Sequence, residues 1–177
     1  MPQFVAFLRG INVGGHIVTK QMLKTVFEEL GFCEVSTFKQ SGNVILQSNE
    51  TDIQVLTVKI EQKLQSKLSY PVAVIVRTIE QLKNIINLDA FKNQPTEGTS
   101  FLVTLLPNIQ TSLPFQLPTI IPKSTAQIIA ATEKEVFSVT HGSGEGALPN
   151  PFIESKLKIK TTTRNLNVIM DILARFG

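Results

Sequence analysis

Two short runs in this chain, Phe4 to Leu8 (FVAFL) and Val44 to Leu46 (VIL), are apolar at every position. Successive side chains of a strand point to opposite faces, so a strand with one face in water alternates apolar and polar residues. An unbroken apolar run therefore marks a strand covered on both faces. The chain must build a sheet with helices on one side and something else on the other.

The segments around these runs suggest how. Lys20 to Leu30 carries Met22, Leu23, Val26, Phe27 and Leu30 at the 3.6-residue spacing of a helix, with Thr19 placed to cap its start and Gly31 to end it. Glu34 to Phe38 and Asn43 to Gln47 flank the turn KQSG as a hairpin. Ile53 to Leu68 repeats Leu56, Ile60 and Leu64 along one helical face, and Pro71 to Val76 (PVAVIV) is a further strand. The order βαββαβ, closing near Arg77, is that of the ferredoxin-like split βαβ. In that arrangement the first and third strands are central neighbours. Arg9 and Gly10 then meet Ser41, Gly42 and Asn43 at one edge, while Arg77 ends the fourth strand at the opposite edge.

The remainder predicts a helix over Ile79 to Ile86, a strand over Ser100 to Leu106 and a proline-broken connector, LPNIQTSLPFQLP. A hairpin around TEKE follows, from Gln127 to Ala131 and Val136 to Thr140, and then the glycine-rich HGSGEG. Helices over Pro151 to Leu157 and Arg164 to Phe176 complete the chain. The expected fold class is α+β: a ferredoxin-like βαββαβ subdomain over 1–78, with a second smaller α+β subdomain over 79–177 packed on it.

Composition excludes several classes. With 177 residues, 42% apolar and 18% charged, the chain has a core to bury and is not disordered. A net charge of +3 permits an anionic partner without demanding one. Cys33 is the lone cysteine, which rules out an internal disulfide, and one Cys with two His assembles no zinc site. FVAFL is too short for a signal sequence and has no basic segment before it. No apolar stretch approaches the roughly 18 to 20 residues of a membrane span. The expectation is a cytoplasmic protein with no membrane, no metal and no cofactor.

The stretch RGINVGGHIVTK joins a strand to a helix through Gly10, Gly14 and Gly15. Such a turn can present backbone N–H groups and a helix N-terminus to an anion. Neither a dinucleotide fingerprint nor a Walker A loop is present: Asn12 stands where the former needs glycine, and no G-K-[ST] follows. The same glycines also serve a tight connector by supplying positive φ. QSGNV, Gln40 to Val44, is by composition a hairpin turn, of interest because topology brings Ser41 and Asn43 beside Arg9 and Asn12.

Near the C-terminus, KTTTRN places Arg164 in a first helical turn if Thr162 or Thr163 is the cap. A cation is unfavourable there unless an anion or carboxylate is near. Cys33 follows a helix C-terminus, where the dipole raises a thiol pKa, so it is not a nucleophile candidate. His16 and His141 are potential general bases, though no carboxylate partner is evident for either. Glu145 is the acid inside the glycine-rich segment.

FLRGINVGG, QSGNV and TTRN, in this order and at these separations, resemble the bacterial domain of unknown function 1697 family, over essentially the whole chain. The family pattern often carries Trp after TTRN, where this chain has Leu166. The resemblance implies a two-part α+β protein whose first part is ferredoxin-like, and no established reaction.

Together these readings favour a module that binds a small anionic or phosphorylated ligand between its two parts. The residues are Arg9, Asn12, Gly14, Gly15, His16, Ser41, Asn43, Arg164 and Asn165. Arginines would supply charge-assisted donors, the loop its N–H groups and the amides orientation. One alternative is an enzyme of unspecified transferase or hydrolase type with His16 as base. Another is a binder of nucleic-acid backbone, disfavoured in its RNA-recognition-motif form because the third strand has no aromatic for base stacking.

Overall fold

The computed structural model describes every residue except Val13, Gln40, Ser41 and 142–147. Ser41 and the GSGEG loop with Glu145 therefore lie outside the described residues. The chain divides into two compact units, Met1–Leu82 and Lys83–Gly177. The second is the longer, not the smaller one that the sequence suggests.

The first unit runs β1 (Gln3–Arg9), α1 (Lys20–Glu28), β2 (Cys33–Thr37), β3 (Asn43–Gln47), α2 (Ile53–Leu68) and β4 (Ala73–Thr78). Its sheet has the order β2-β3-β1-β4, and every neighbouring pair is antiparallel. Phe4, Ala6 and Leu8 of β1, with Val44, Leu46, Val74 and Val76, point to the helix side. There they pack with Leu23 and Phe27 of α1 and Leu56, Ile60 and Leu64 of α2. Each such fully buried Val, Leu, Ile or Phe side chain contributes about 1.5–3 kcal/mol. On the opposite side Val5 lies between Ile45 and Arg77, and Phe7 between Asn43 and Ile75. These residues are buried as well, which is why FVAFL does not alternate.

Local signals account for the helices. The Thr19 hydroxyl accepts the Met22 N–H at 3.1 Å to open α1, and Gly31 follows the helix at φ +83°. An Asp52 carboxylate oxygen accepts the Gln54 and Val55 N–H groups to open α2. Glu61 ties α2 to the sheet by accepting the Val74 N–H at 2.9 Å.

After α3 (Ile79–Asn87), the second unit contains β5 (Thr99–Leu105), β6 (Thr119–Ile120), β7 (Ala126–Ala131), β8 (Glu135–His141), α4 (Asn150–Leu157), β9 (Thr162–Asn165) and α5 (Leu166–Phe176). Its antiparallel sheet has the order β6-β7-β8-β5-β9. Ile153 of α4 packs with Leu106, Ile121, Ala126, Ile128 and Val136 on one face. Phe91 stacks on Phe101 and meets Phe137 edge-on, these two being on the other face.

Two elements differ from the sequence reading. The proline-broken connector ends in the short edge strand β6. Arg164 lies on β9 and not in a helix: Thr162 to Asn165 pair with Leu105 to Leu102, and the helix starts only at Leu166. The β-branched threonines favour the strand once a partner is available.

Candidate functional site

The loop from β1 to α1 is built around two successive glycines in the left-handed region, Gly14 at φ +64° and Gly15 at φ +83°. A side chain at either would be strained, and in front of Gly15 nothing lies within 4 Å of where a Cβ would stand. Gly14, Gly15 and His16 are exposed.

The loop is anchored at Ile11, Asn12 and Val18. The Asn12 side-chain oxygen accepts the Val18 N–H at 2.7 Å. Ile11 and Val18 are buried in the core beneath. Tyr70 donates its hydroxyl to the Ile11 carbonyl at 2.7 Å, and its ring lies 4.2 Å from that of His16, tilted by 30°. Burial pushes the Tyr70 phenol above its ordinary pKa. Tyr70 is the one tyrosine in the chain, just beyond α2, and sequence reasoning overlooked it. Its position before Pro71, where the chain leaves the helix, was the available signal.

Arg9 closes β1 opposite Ala73, on the sheet face away from the helices that it shares with Phe7 and Asn43. It is partly buried, and desolvation lowers its pKa from the ordinary guanidinium value. The Leu8 N–H donates to the Gly42 carbonyl at 2.8 Å, which brings Gly42 alongside the end of β1. Asn43 is buried, and its amide donates back to the Phe38 carbonyl at 3.1 Å across its own hairpin. Arg77, not among the sequence candidates, is buried on the same face and donates to the Val76 carbonyl at 3.1 Å.

In the second unit, Arg164 is half-buried on β9. Its Nη1 donates to the Thr162 hydroxyl at 2.8 Å and the Thr163 carbonyl at 2.9 Å. Desolvation lowers its pKa to about 10. Asn165 is the cap of α5, its side-chain oxygen accepting the Asn167 N–H at 3.0 Å. Neither Thr162 nor Thr163 caps that helix.

The first unit thus gathers Arg9, Asn12, Gly14, Gly15, His16 and Asn43 at the end of the sheet where β1 leaves and β3 enters. Within that group Asn12 and Asn43 brace backbone, and Arg9 and the Gly14–His16 stretch remain at the surface. Cys33 is exposed on the edge strand β2. His141 is exposed, with Nδ1 at 3.1 Å from the Thr99 hydroxyl. Among the described residues no group of three or more His, Cys, Asp and Glu could hold a metal, and no helix is long and apolar enough to cross a membrane.

No curated protein matches the chain. The structure is similar to that of the conserved bacterial protein SP0830 from Streptococcus pneumoniae, with a TM-score of 0.67 over 99% of each chain at 18% identity. At that identity the likeness shows the fold. The family described as "Protein of unknown function (DUF1697)" matches residues 1–137, which include FLRGINVGG and QSGNV and stop short of TTRN. By that match over most of its length, the chain belongs to the DUF1697 family.

Proposed function

We propose that this protein binds a small anionic or phosphorylated ligand, with Arg9 and the Gly14–His16 loop of the first unit as its principal donors. The observation that carries this reading is the exposed Gly14–Gly15 pair, both at positive φ, with open space in front of Gly15. It sits on a loop braced at Asn12 and Tyr70, so the backbone N–H groups there are held without the ligand's help. A braced loop loses little conformational freedom on binding. The first turn of α1 contains no acidic residue to compete for its N-terminal field. Arg9, partly withdrawn from water, adds a cation that an anion would stabilise. The scaffold is read as ferredoxin-like from its βαββαβ order and its strand order.

Arg164 is the corresponding partly desolvated cation of the second unit, proposed as a secondary anion contact. Other readings draw less support. Among the described residues His16 makes no hydrogen bond or ion pair, so no carboxylate orients it as a base; its ring contact is with Tyr70. Phe7, on the sheet face opposite α1 and α2, is buried, whereas base stacking needs an exposed aromatic.

The test is thermal stability in matched ionic strengths of phosphate and chloride. Millimolar phosphate is expected to raise Tm beyond chloride, since a ligand that binds the native state stabilises it by mass action. Arg9→Gln should lose that selective gain. Equal effects of the two salts on the wild type, or an undiminished gain in Arg9→Gln, would rule the site out. A gain that instead collapses with total salt would favour the nucleic-acid backbone reading.

A further inference from the structure

The second unit has a cleft of about 430 Å³ that shares no residue with the proposed anion site. Its size falls among small-molecule sites, about 300–1,000 Å³, which are mostly apolar with a few placed polar groups. Ile121, Leu148, Pro151 and Phe152 supply apolar walls, and Lys123 and Ser124 the polar groups. Ile121 and Phe152 belong to the unit's own core cluster, and Phe115 backs the Phe152 ring with centroids 5.4 Å apart. These two walls are thus packed from behind. Leu148 at the rim keeps 60% of its surface in water, apolar area that a ligand would cover.

The charge in the cleft is of one sign. Lys123 sits at φ +57° in a turn closed by three bonds: Ser124 N–H to the Ile121 carbonyl, Ala126 N–H to the Ser124 hydroxyl and Ile121 N–H to the Ala126 carbonyl. Among the described residues the Lys123 ammonium has no hydrogen bond or ion pair. Outside the lining, the Lys156 ammonium lies 5.7 Å from the centroid of the Phe152 ring. Lys123 is exposed, so its ammonium is hydrated; a bare inorganic anion would leave the apolar walls wet, and a neutral apolar molecule would gain nothing from the nearby charge.

We infer that this cleft binds an amphipathic monoanion: a carboxylate on an aliphatic body, with the head at Lys123 and the body against Phe152 and Leu148. This does not depend on phosphate binding in the first unit.

The test uses the full chain with octanoate, its neutral counterpart octanamide, and acetate, followed by amide chemical shifts. Octanoate is expected to bind more tightly than octanamide by up to about fivefold, the upper end for a solvent-accessible ion pair. Acetate should not bind, and the amides of Ile121, Ser124 and Phe152 should move. Lys123→Met, which keeps an apolar stem, should abolish the preference while octanamide affinity stays level. Leu148→Asp, a surface change, should weaken both. Equal affinity for octanoate and octanamide, a preference that survives Lys123→Met, acetate binding as tightly as octanoate, or shifts that bypass these three amides would each overturn the assignment.

Discussion

The side-chain oxygen of Asn12 accepts the backbone N–H of Val18 at 2.7 Å, so one amide brackets the glycine turn from the inside. Val18 is buried, and its N–H would otherwise be a costly orphan. Asn12→Ala should therefore lower stability by about 1 kcal/mol and speed hydrogen exchange at Val18 more than at the neighbouring core amides. Unchanged protection at Val18 would show that this bond does not hold the loop.

The second anchor is Tyr70. Its phenol has a raised pKa through burial, so the folded state favours the neutral form that donates to Ile11. A folded pKa above the unfolded one means that this contribution is complete below the unfolded value, about 10, and is lost as pH rises from there through the folded value. Tyr70→Phe should cost about 1 kcal/mol at neutral pH. It should also flatten the alkaline limb of the stability profile above about pH 10. Parallel limbs for wild type and variant in urea titrations would contradict this.

Thr104 and Thr163 meet across β5 and β9 with hydroxyl oxygens 2.7 Å apart, and Thr104 is fully buried. Removing either hydroxyl strands its partner, whereas removing both leaves nothing unsatisfied between them. Thr104→Val and Thr163→Val should each cost about 1 kcal/mol, and the double variant clearly less than their sum. Additive losses in a double-mutant cycle would show that the pair is not coupled.

Ser138 lies on β8, fully buried, and its hydroxyl has no hydrogen-bond partner among the described residues. A buried donor without a partner costs free energy that an apolar side chain of similar shape avoids. Ser138→Ala is expected to leave stability level or raise it by up to about 1 kcal/mol, read as an upward shift in Tm. A loss beyond about 1 kcal/mol would mean that the hydroxyl is bonded in solution.

Much of the first unit was legible because its signals are local. The Thr19 cap, the Leu23–Val26–Phe27 stripe and the period of Leu56, Ile60 and Leu64 each specify a helix from a few neighbouring residues. The two-sided apolarity of FVAFL announced a strand buried on both faces, as Val5 and Phe7 are. Gly14 and Gly15 take the positive φ that their lack of a side chain permits.

The roles of the polar candidates were not legible in that way. An asparagine after a strand looks the same whether its amide awaits a ligand or closes its own turn, and Asn12 and Asn43 both brace backbone. Tyr70 reaches Ile11 over 59 positions of sequence, which no local pattern encodes.

The amino-acid sequence by itself determined where the chain turns, which segments carry a helical or strand period and which strands need cover on both faces. These follow from propensity and side-chain periodicity within a few residues. Only the tertiary structure decided whether TTRN opens a helix or completes a sheet. Threonine suits strand pairing, and asparagine suits a cap, so Thr162 to Arg164 could join β5 while Asn165 started α5. That choice rests on Leu102 to Leu105 offering a free sheet edge more than fifty residues away, and backbone hydrogen bonds at such separation are set by the fold as a whole.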